Sequence, residues 1–194
     1  MNSSTILSKL SPGITKMIRA DHSHVMLIFH RFNAEASPQK KHAIIKSACL
    51  ALTIHAQLEE EIFYPALAEA DSGNAVLAKS KPEHDEMRRL IAQLEEAEAG
   101  DATSDELFMQ LMREVLHHVA DEETVLLPAA ERLLADRLQE LGAQMSKRRM
   151  ELAAPHAGEL LKEQARAMPT ATVLVAGGLI AGAYLLGRGL DRRH

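Results

Sequence analysis

Two segments of this 194-residue chain place a histidine and a glutamate one helical turn apart. His55 and Glu59 form the first pair, His118 and Glu122 form the second, and a proline follows each glutamate six positions later. Side chains four residues apart project from the same face of a helix, so each pair can present an imidazole nitrogen beside a carboxylate oxygen. First-row transition metals accept both donor types. The repeated spacing therefore predicts two halves of one metal site.

Each half contains a further histidine upstream of its pair. In the first half His22 precedes His55 by 33 positions, and in the second half His84 precedes His118 by 34. An acidic residue stands immediately before the upstream histidine in both halves. The duplicated pattern predicts six metal ligands, which are His22, His55, Glu59, His84, His118 and Glu122.

Four imidazoles and two carboxylates are more side chains than a single ion usually binds. Two ions, each held by two histidines and bridged by both glutamates, would use every donor. Nitrogen and carboxylate donors at a high coordination number favour iron, with manganese as the alternative. Structural zinc would favour cysteines or a closed four-ligand site, and the chain has no His-Glu-x-x-His motif. We therefore expect two iron ions.

The elements that must position these ligands are expected to be helices. Aromatic residues make up only 3% of the chain and tryptophan is absent, which offers little to a β-sheet. Capping residues, prolines and glycines predict four helices, at about 12–35, 38–64, 80–100 and 104–128. We expect Pro65 to kink or end the second helix. Four such helices with short connections predict an all-α fold, an antiparallel up-down-up-down four-helix bundle.

The bundle is expected to occupy residues 12–130, after an N-terminal lead-in at 1–11. A helical stretch rich in charge, from Ala129 to about Leu152, opens a charged helical extension assigned to residues 131–168. This extension is expected either to lie on the bundle or to project from it.

The last segment, 169–194, is an apolar, glycine-containing tail. Residues 170–187 carry no charge; as a helix they would be roughly 27 Å long, close to the ~30 Å hydrocarbon core of a bilayer. Gly178 and Gly182 form a Gly-x-x-x-Gly pair that lets membrane helices approach closely. The tail is therefore a candidate transmembrane anchor. The alternative is an apolar helix that packs on its own protein or on a second subunit of an oligomer.

Charge and cysteine content limit the other classes. The net charge of −5 and the lack of a basic patch with aromatic residues predict no nucleic-acid partner. Cys49 is the only cysteine, so an intrachain disulfide is impossible. The N-terminus lacks the pattern of an export signal. We therefore expect a cytoplasmic domain that the tail anchors to the inner face of a membrane.

Taken together, the four motifs resemble the hemerythrin-like family, named for its His-His-Glu cation-binding signature. The motifs are Asp21-His22, His55-Ala-Gln-Leu-Glu59, Glu83-His84 and His118-Val-Ala-Asp-Glu122, and the resemblance covers about residues 12–130. It implies an antiparallel four-helix bundle around a non-haem di-iron centre that binds dioxygen. It also implies that the same six residues are the ligands.

One departure from the oxygen-carrying hemerythrins concerns the third helix, where those proteins have a His-x-x-x-His pair. Arg88 stands four positions after His84 here, and the fourth helix carries His118-x-x-x-Glu122. By ligand count each six-coordinate iron would keep two positions, one for a bridging oxo or hydroxo group and one open. A doubly open site favours sensing, scavenging or storage of O2, NO or peroxide over oxygen carriage.

Two other functions stay open at this point. The first is a di-iron redox enzyme with peroxidase- or NO-reductase-like activity. The second is a metal-stabilised structural or sensor module at a membrane. Whether the protein is an enzyme is therefore left undecided.

Several neighbouring residues are expected to have minor roles. Asp21 and Glu83 could accept hydrogen bonds from ring nitrogens, although ordinary surface positions are favoured. Glu60, Glu61 and Glu123 are expected to be solvated or to orient ligands, and His24 and His117 to lie at the surface or its boundary. Tyr64, one turn beyond Glu60, could hydrogen-bond near the metals, but it is interpreted as a core residue because Leu127 stands at the matching position of the second half.

Overall fold

The computed structural model describes residues 12–97, 102–156 and 158. This part of the chain is all-α: four long helical segments form an antiparallel up-down-up-down bundle, and a fifth packs against it. The helices are α1 (Ile14–His30), α2 (Pro38–Leu58), α3 (Tyr64–Ala70), α4 (Ala75–Glu96), α5 (Ala102–Asp121), α6 (Leu127–Leu133) and α7 (Leu138–Ala153). A π-helical turn, Glu59–Phe63, joins α2 to α3, and a second one, Glu122–Leu126, joins α5 to α6.

The two π turns lie at equivalent places in the two halves of the bundle. Each begins at a candidate ligand, and the N–H of the residue after the turn donates to the carbonyl of that glutamate, five residues back. Pro65 and Pro128 then occupy the first turn of the following α-helix, where a missing N–H costs little. Of the two outcomes predicted for Pro65, a kink or a helix end, the helix end does not occur, because the wider π turn lets the chain continue as helix to Ala70.

The starts of α2 and α4 show one correct and one wrong prediction. Ser37 caps α2 as predicted, since its hydroxyl accepts from the Lys40 N–H at 3.4 Å. The third predicted helix begins earlier than expected, because Asn74 Oδ1 accepts from the N–H groups of Val76 and Leu77. These two residues also pack on the core, so α4 runs through Pro82 instead of starting there.

The ends of the bundle also differ from the prediction. α1 starts after Gly13 and ends at His30, which makes it shorter than the predicted 12–35. The charged stretch predicted as one helix from Ala129 is divided into α6 and α7 by a turn at 134–137. α7 lies on the bundle and packs against α1 and α2.

The core of the bundle consists of two apolar clusters. One contains Val25, Leu52, Met87 and Val115 among its fifteen buried residues. The other contains Ile18, Leu58, Phe63 and Leu126, and it also includes Leu141 and Met145 of α7. Along every long helix the candidate ligand lies between a residue of the first cluster and one of the second. The ligands therefore form a polar layer with apolar packing above and below it.

The predicted membrane anchor, 170–187, lies outside the described residues. Within 12–97 and 102–156, none of the helices is both long and apolar enough to cross a bilayer.

Candidate metal centre

All six predicted ligands meet in the polar layer of the bundle. Each histidine is at most 6% exposed and both glutamates are fully buried. α1 and α4 each provide one histidine, while α2 and α5 each provide a histidine and lead into a π turn that starts with the glutamate. The donor atoms form two adjoining groups: His22, His55, Glu59 and Glu122 in the first, and Glu59, His84 and His118 in the second. Within each group all donor atoms lie within 4.8 Å of one another.

Glu59 lies between one histidine of each group. Its Oε2 atom is 3.2 Å from His55 Nε2 and 3.5 Å from His84 Nε2. A carboxylate that contacts a donor from both groups is placed to bridge two ions.

Glu122 has the same relation to the other two histidines. Its Oε2 atom is 3.1 Å from His22 Nε2 and 3.6 Å from His118 Nε2. Each of the two glutamates thus contacts one histidine of each group.

The second ring nitrogen of every candidate histidine contacts a carboxylate on a neighbouring helix. The Nδ1 contacts are His22 with Glu123 at 2.8 Å, His55 with Asp21 at 3.5 Å, His84 with Glu60 at 3.0 Å and His118 with Glu83 at 2.8 Å. A carboxylate that accepts from Nδ1 fixes the tautomer and leaves Nε2 free to bind a metal. Asp21 and Glu83, which the sequence favoured as ordinary surface acids, therefore face candidate ligands. Glu83 is within hydrogen-bond distance of His118 Nδ1, whereas the contact of Asp21 with His55 Nδ1 is longer.

Several buried polar atoms of the layer lack a hydrogen-bond partner. They include the Nε2 atom of His55 and the Oε1 atom of Glu59. The Nε2 atoms of His84 and His118 also face each other at 3.0 Å. A neutral imidazole has one N–H group, so two rings that carry the proton on Nδ1 cannot form a hydrogen bond between their Nε2 atoms. Unpaired donors and acceptors are costly in a buried layer, and a metal cation would satisfy them together. The donor set therefore fits metal ions.

Burial shifts the titration of the layer. Burial, followed by the nearby charge of Glu122, raises the pKa of Glu59 well above its usual range. Burial and the neighbouring His118 lower the pKa of His84 to about 4, and burial also lowers the pKa of His55. These imidazoles are therefore neutral at physiological pH, which is the state that a metal requires.

Tyr64 is buried in the second apolar cluster, as predicted, and its hydroxyl also reaches into the polar layer. Its hydroxyl donates to Glu122 Oε1 at 2.9 Å and lies 3.3 Å from both Glu59 Oε2 and His84 Nε2. Burial and the two carboxylates raise the pKa of Tyr64 well above its usual range, so the hydroxyl keeps its proton when no metal is bound. The hydroxyl lies on the side of the second group, near His84 and His118, so the two donor groups are not equivalent.

The spacing of Glu59 and Tyr64 disfavours a contact of the Tyr64 hydroxyl with the polar layer in a regular α-helix, and the π turn changes the angle between the two residues. In a regular α-helix, residues five apart differ by roughly 140° around the axis. The extra residue in the π turn brings Tyr64 back towards the face of Glu59. A proline six positions after a ligand was the available signal for such a turn.

On the opposite side of the histidines lies a small apolar cavity. Val25, Leu52, Met87, Val115 and Val119 line it together with all four histidines, and its volume is about 10 Å³. This is roughly the space that one water-sized molecule needs. The cavity can therefore admit only a very small ligand to the metal positions.

Among the residues that the structure describes, Glu61 and His117 lie outside the layer. Glu61 is exposed and accepts from Arg148, and His117 is exposed as predicted. A third group of candidate ligands, Glu83, His117 and Asp121, lies near the surface, where the Lys79 amine already contacts Asp121.

Comparison with known proteins agrees with this geometry. The family described as the Hemerythrin HHE cation binding domain matches residues 13–130. A solved structure, the hemerythrin HHE cation binding domain-containing protein that is the Rv2633c homolog from Mycobacterium kansasii, has a TM-score of 0.65 and 19% identity, and the match covers 81% of this chain and 99% of that one. At that identity the match shows the fold alone.

A curated relative differs strongly in length. The protein named DNA nickase from Nostoc sp. strain PCC 7120 is 30% identical over 121 residues, which are 62% of this chain and 34% of the relative. The chain therefore spans about a third of the length of that protein.

Proposed function

Because this chain belongs to the hemerythrin HHE cation-binding family, we propose that its bundle holds two iron ions and binds a small ligand such as O2, NO or peroxide. The observation that carries the proposal is the bridging position of both buried glutamates. Glu59 and Glu122 each face one histidine of each donor group, and the unpaired atoms of His55 and Glu59 call for a cation. Iron suits these donors because it accepts imidazole and carboxylate together.

The chain's residues divide the work at this site. The four histidines would hold the ions through Nε2, and Asp21, Glu60, Glu83 and Glu123 keep their rings oriented through Nδ1. When bound, iron supplies open coordination positions and a change of oxidation state. The small apolar cavity limits the incoming ligand to a molecule of two or three atoms and excludes bulk water.

Sensing, scavenging or storage is favoured over oxygen carriage because α4, the third long helix of the bundle, lacks a second histidine. Arg88 occupies that position and donates to Glu60 instead of entering the layer. The second metal position would therefore be formed by His84, His118 and the two glutamates, and the Tyr64 hydroxyl lies beside them.

Metal analysis with absorption spectroscopy tests the proposal. Protein produced with iron available should contain about two irons per chain, and its near-ultraviolet band should change on adding O2, NO or azide. Stoichiometric zinc without iron under the same conditions would reject the di-iron assignment. A matched Glu61→Gln variant, altered outside the layer, should keep both metals and the same spectrum.

A di-iron redox enzyme is the second candidate, and Tyr64 favours it. Its hydroxyl hydrogen-bonds to Glu122 and lies beside the proposed metal positions, so the site has a proton donor of its own. Reduction of peroxide or NO consumes protons, and an adjacent donor would supply them. Repeated turnover of peroxide or NO with an external reductant supports the enzyme; reversible binding without turnover supports the sensor or store. The absence of a nucleic-acid partner stays a prediction from the charge balance.

A further inference from the structure

Arg149 connects helix α7 to the polar layer through Asp21. Arg149 Nη2 donates to Asp21 Oδ2 at 2.6 Å, and Nη1 donates to Oδ1 of the same carboxylate. Asp21 Oδ2 in turn lies 3.5 Å from His55 Nδ1. A guanidinium on α7 therefore holds the carboxylate that faces a candidate metal ligand. The two parallel N–H···O bonds fix the plane of the Asp21 carboxylate as well as its position.

The other three ligand-orienting carboxylates take their cations from the bundle itself. Glu123 accepts from Arg19 at 3.0 Å, Glu60 accepts from Arg88, and Glu83 lies 3.8 Å from Lys79. These cations belong to α1 and α4. Within the described part of the chain, Asp21 is the only one of the four that is paired with a residue beyond 13–130, the part that the family description matches.

The duplicated sequence shows why α7 must supply this cation. In the second half Lys79 stands four positions before Glu83, whereas four positions before Asp21 stands Met17. Met17 has no charge to offer, and its sulfur accepts a hydrogen bond from Ser146 of α7 at 3.4 Å. Helix α7 thus packs on Met17, at the position from which a cationic side chain of α1 could reach Asp21, and Arg149 of α7 pairs with Asp21 instead.

The position of α7 on the bundle is closely defined by its packing. Leu141 and Met145 are buried in the second apolar cluster. A Cβ atom on Gly142 would lie 2.0 Å from the Pro12 carbonyl oxygen, so only glycine permits this backbone approach. Gly142 and Arg149 are seven residues apart and therefore share a face of α7. The contact at Gly142 sets the register that places Arg149 at Asp21.

We propose that Arg149 is a positioning residue for the metal position formed by His22 and His55, and that α7 thereby controls how tightly one of the two ions is held. The inference rests on the proposed two-iron function and deepens it. Without Arg149, Asp21 can turn towards solvent and the His55 ring loses the partner that orients its Nε2 atom. The position formed by His84 and His118 has its own orienting residues and should be unaffected.

Release of iron to a chelator tests the proposal, because the two ions can be followed as separate phases. Loss of residues that orient metal ligands typically costs 10–100-fold in metal affinity. Arg149→Met should therefore accelerate the release of one iron by about 10-fold, at the low end of that range because Arg149 acts through Asp21. The second phase should keep its rate. Arg149→Lys, which retains the charge without the paired hydrogen bonds, should restore part of the slow release.

Arg148→Met is the matched control, because Arg148 is adjacent to Arg149 on α7. Arg148 donates to Glu61, which is exposed and lies outside the polar layer. Its release rates should equal those of the unaltered protein. Asp21→Asn should reproduce the effect of Arg149→Met, and combining the two substitutions should add little, because both act on the same His55 contact. Circular dichroism on each variant establishes that the bundle is folded.

Two results would overturn the inference while leaving the proposed function intact. One is a folded, two-iron Arg149→Met protein that releases both ions at the unaltered rates. The other is an equal acceleration of both phases, which indicates a general loosening of the bundle. An unaltered protein that never holds two ions would instead contradict the proposed function, before any variant is compared.

Discussion

Tyr64 and Glu122 are 58 positions apart in the chain, and the Tyr64 hydroxyl donates to Glu122 Oε1 at 2.9 Å. Tyr64 follows the first π turn and Glu122 begins the second. Leu127, which follows the second π turn, offers no such group to the opposite side. The duplicated halves therefore build two unequal donor groups, and within the described residues only the group that contains His84 and His118 has a phenol beside it.

Tyr64→Phe tests whether the phenol restricts the metal position of that group. The variant should retain both metals, because all six candidate ligands remain. Removing the hydroxyl should free space beside His84 and His118, so azide should bind more tightly, by about 10-fold, which corresponds to the free energy of one hydrogen bond to a charged group. Azide titration followed by absorption measures the change. Tyr184→Phe alters the only other tyrosine and should leave the titration as it was; equal affinities in both variants would contradict a role for Tyr64.

Substitution of single ligands should separate the two metal positions. His55→Ala removes a donor from one group, so the protein should retain about one iron per chain. Glu59→Ala removes a carboxylate that faces both groups and should reduce the content further. Iron analysis after gel filtration measures both. Glu61→Ala is the control on the same turn, and an equal iron content in all three variants would contradict the proposed ligands.

Metal removal should destabilise the bundle. The metal-free layer buries four imidazoles and two carboxylates with several unpaired atoms, whereas bound metal adds its binding free energy to folding. A ligand at 1,000 times its dissociation constant stabilises by about 4 kcal/mol. At about 2–4 °C per kcal/mol, the midpoint of thermal unfolding should rise by roughly 10 °C when iron is bound. Calorimetry with and without iron measures the shift, and identical midpoints would contradict coupling of metal binding to folding.

Asp21 should make the metal-free protein sensitive to acid. Burial alone would raise the pKa of Asp21, but its contacts with His55 and Arg149 lower that pKa from 3.8 to about 2. A lowered folded-state pKa contributes stability that is fully present above the unfolded value and is lost as the pH falls through the folded one. The contribution of Asp21 should therefore disappear between about pH 4 and pH 2.

Urea unfolding of the metal-free protein at a series of pH values measures this dependence. Asp21→Asn should have a shallower loss of unfolding free energy over that interval, because Asn does not titrate. Asp85→Asn, at an exposed acid on α4, is the control. A slope that is the same in the unaltered protein and Asp21→Asn would contradict the assignment.

Cys49 should be chemically inert in the folded protein. It is 5% exposed, and burial raises the pKa of its thiol to about 12. Because the thiolate is the nucleophile, a raised pKa leaves almost none of it at pH 8. A disulfide reagent added at that pH should react slowly with folded protein and fast in urea. Fast reaction in the absence of urea would show that the region around Cys49 opens readily.

The sequence by itself determined the fold class and the composition of the metal layer. Periodicity alone identified the helical faces, and the offset of 62 or 63 between the halves identified the six residues that meet. This succeeded because the metal-binding pairs are local: His55 and Glu59 lie one turn apart whatever the rest of the fold does.

Only the tertiary structure decided how the layer is supported. The orienting role of Asp21, the arrival of Arg149 from α7 and the position of the Tyr64 hydroxyl depend on which helices are neighbours and on two π turns. Such contacts join residues that are far apart in the chain or are displaced by one extra residue in a turn. Sequence spacing describes one helix at a time, so the partners that a helix acquires from its neighbours can be read only from the packed bundle.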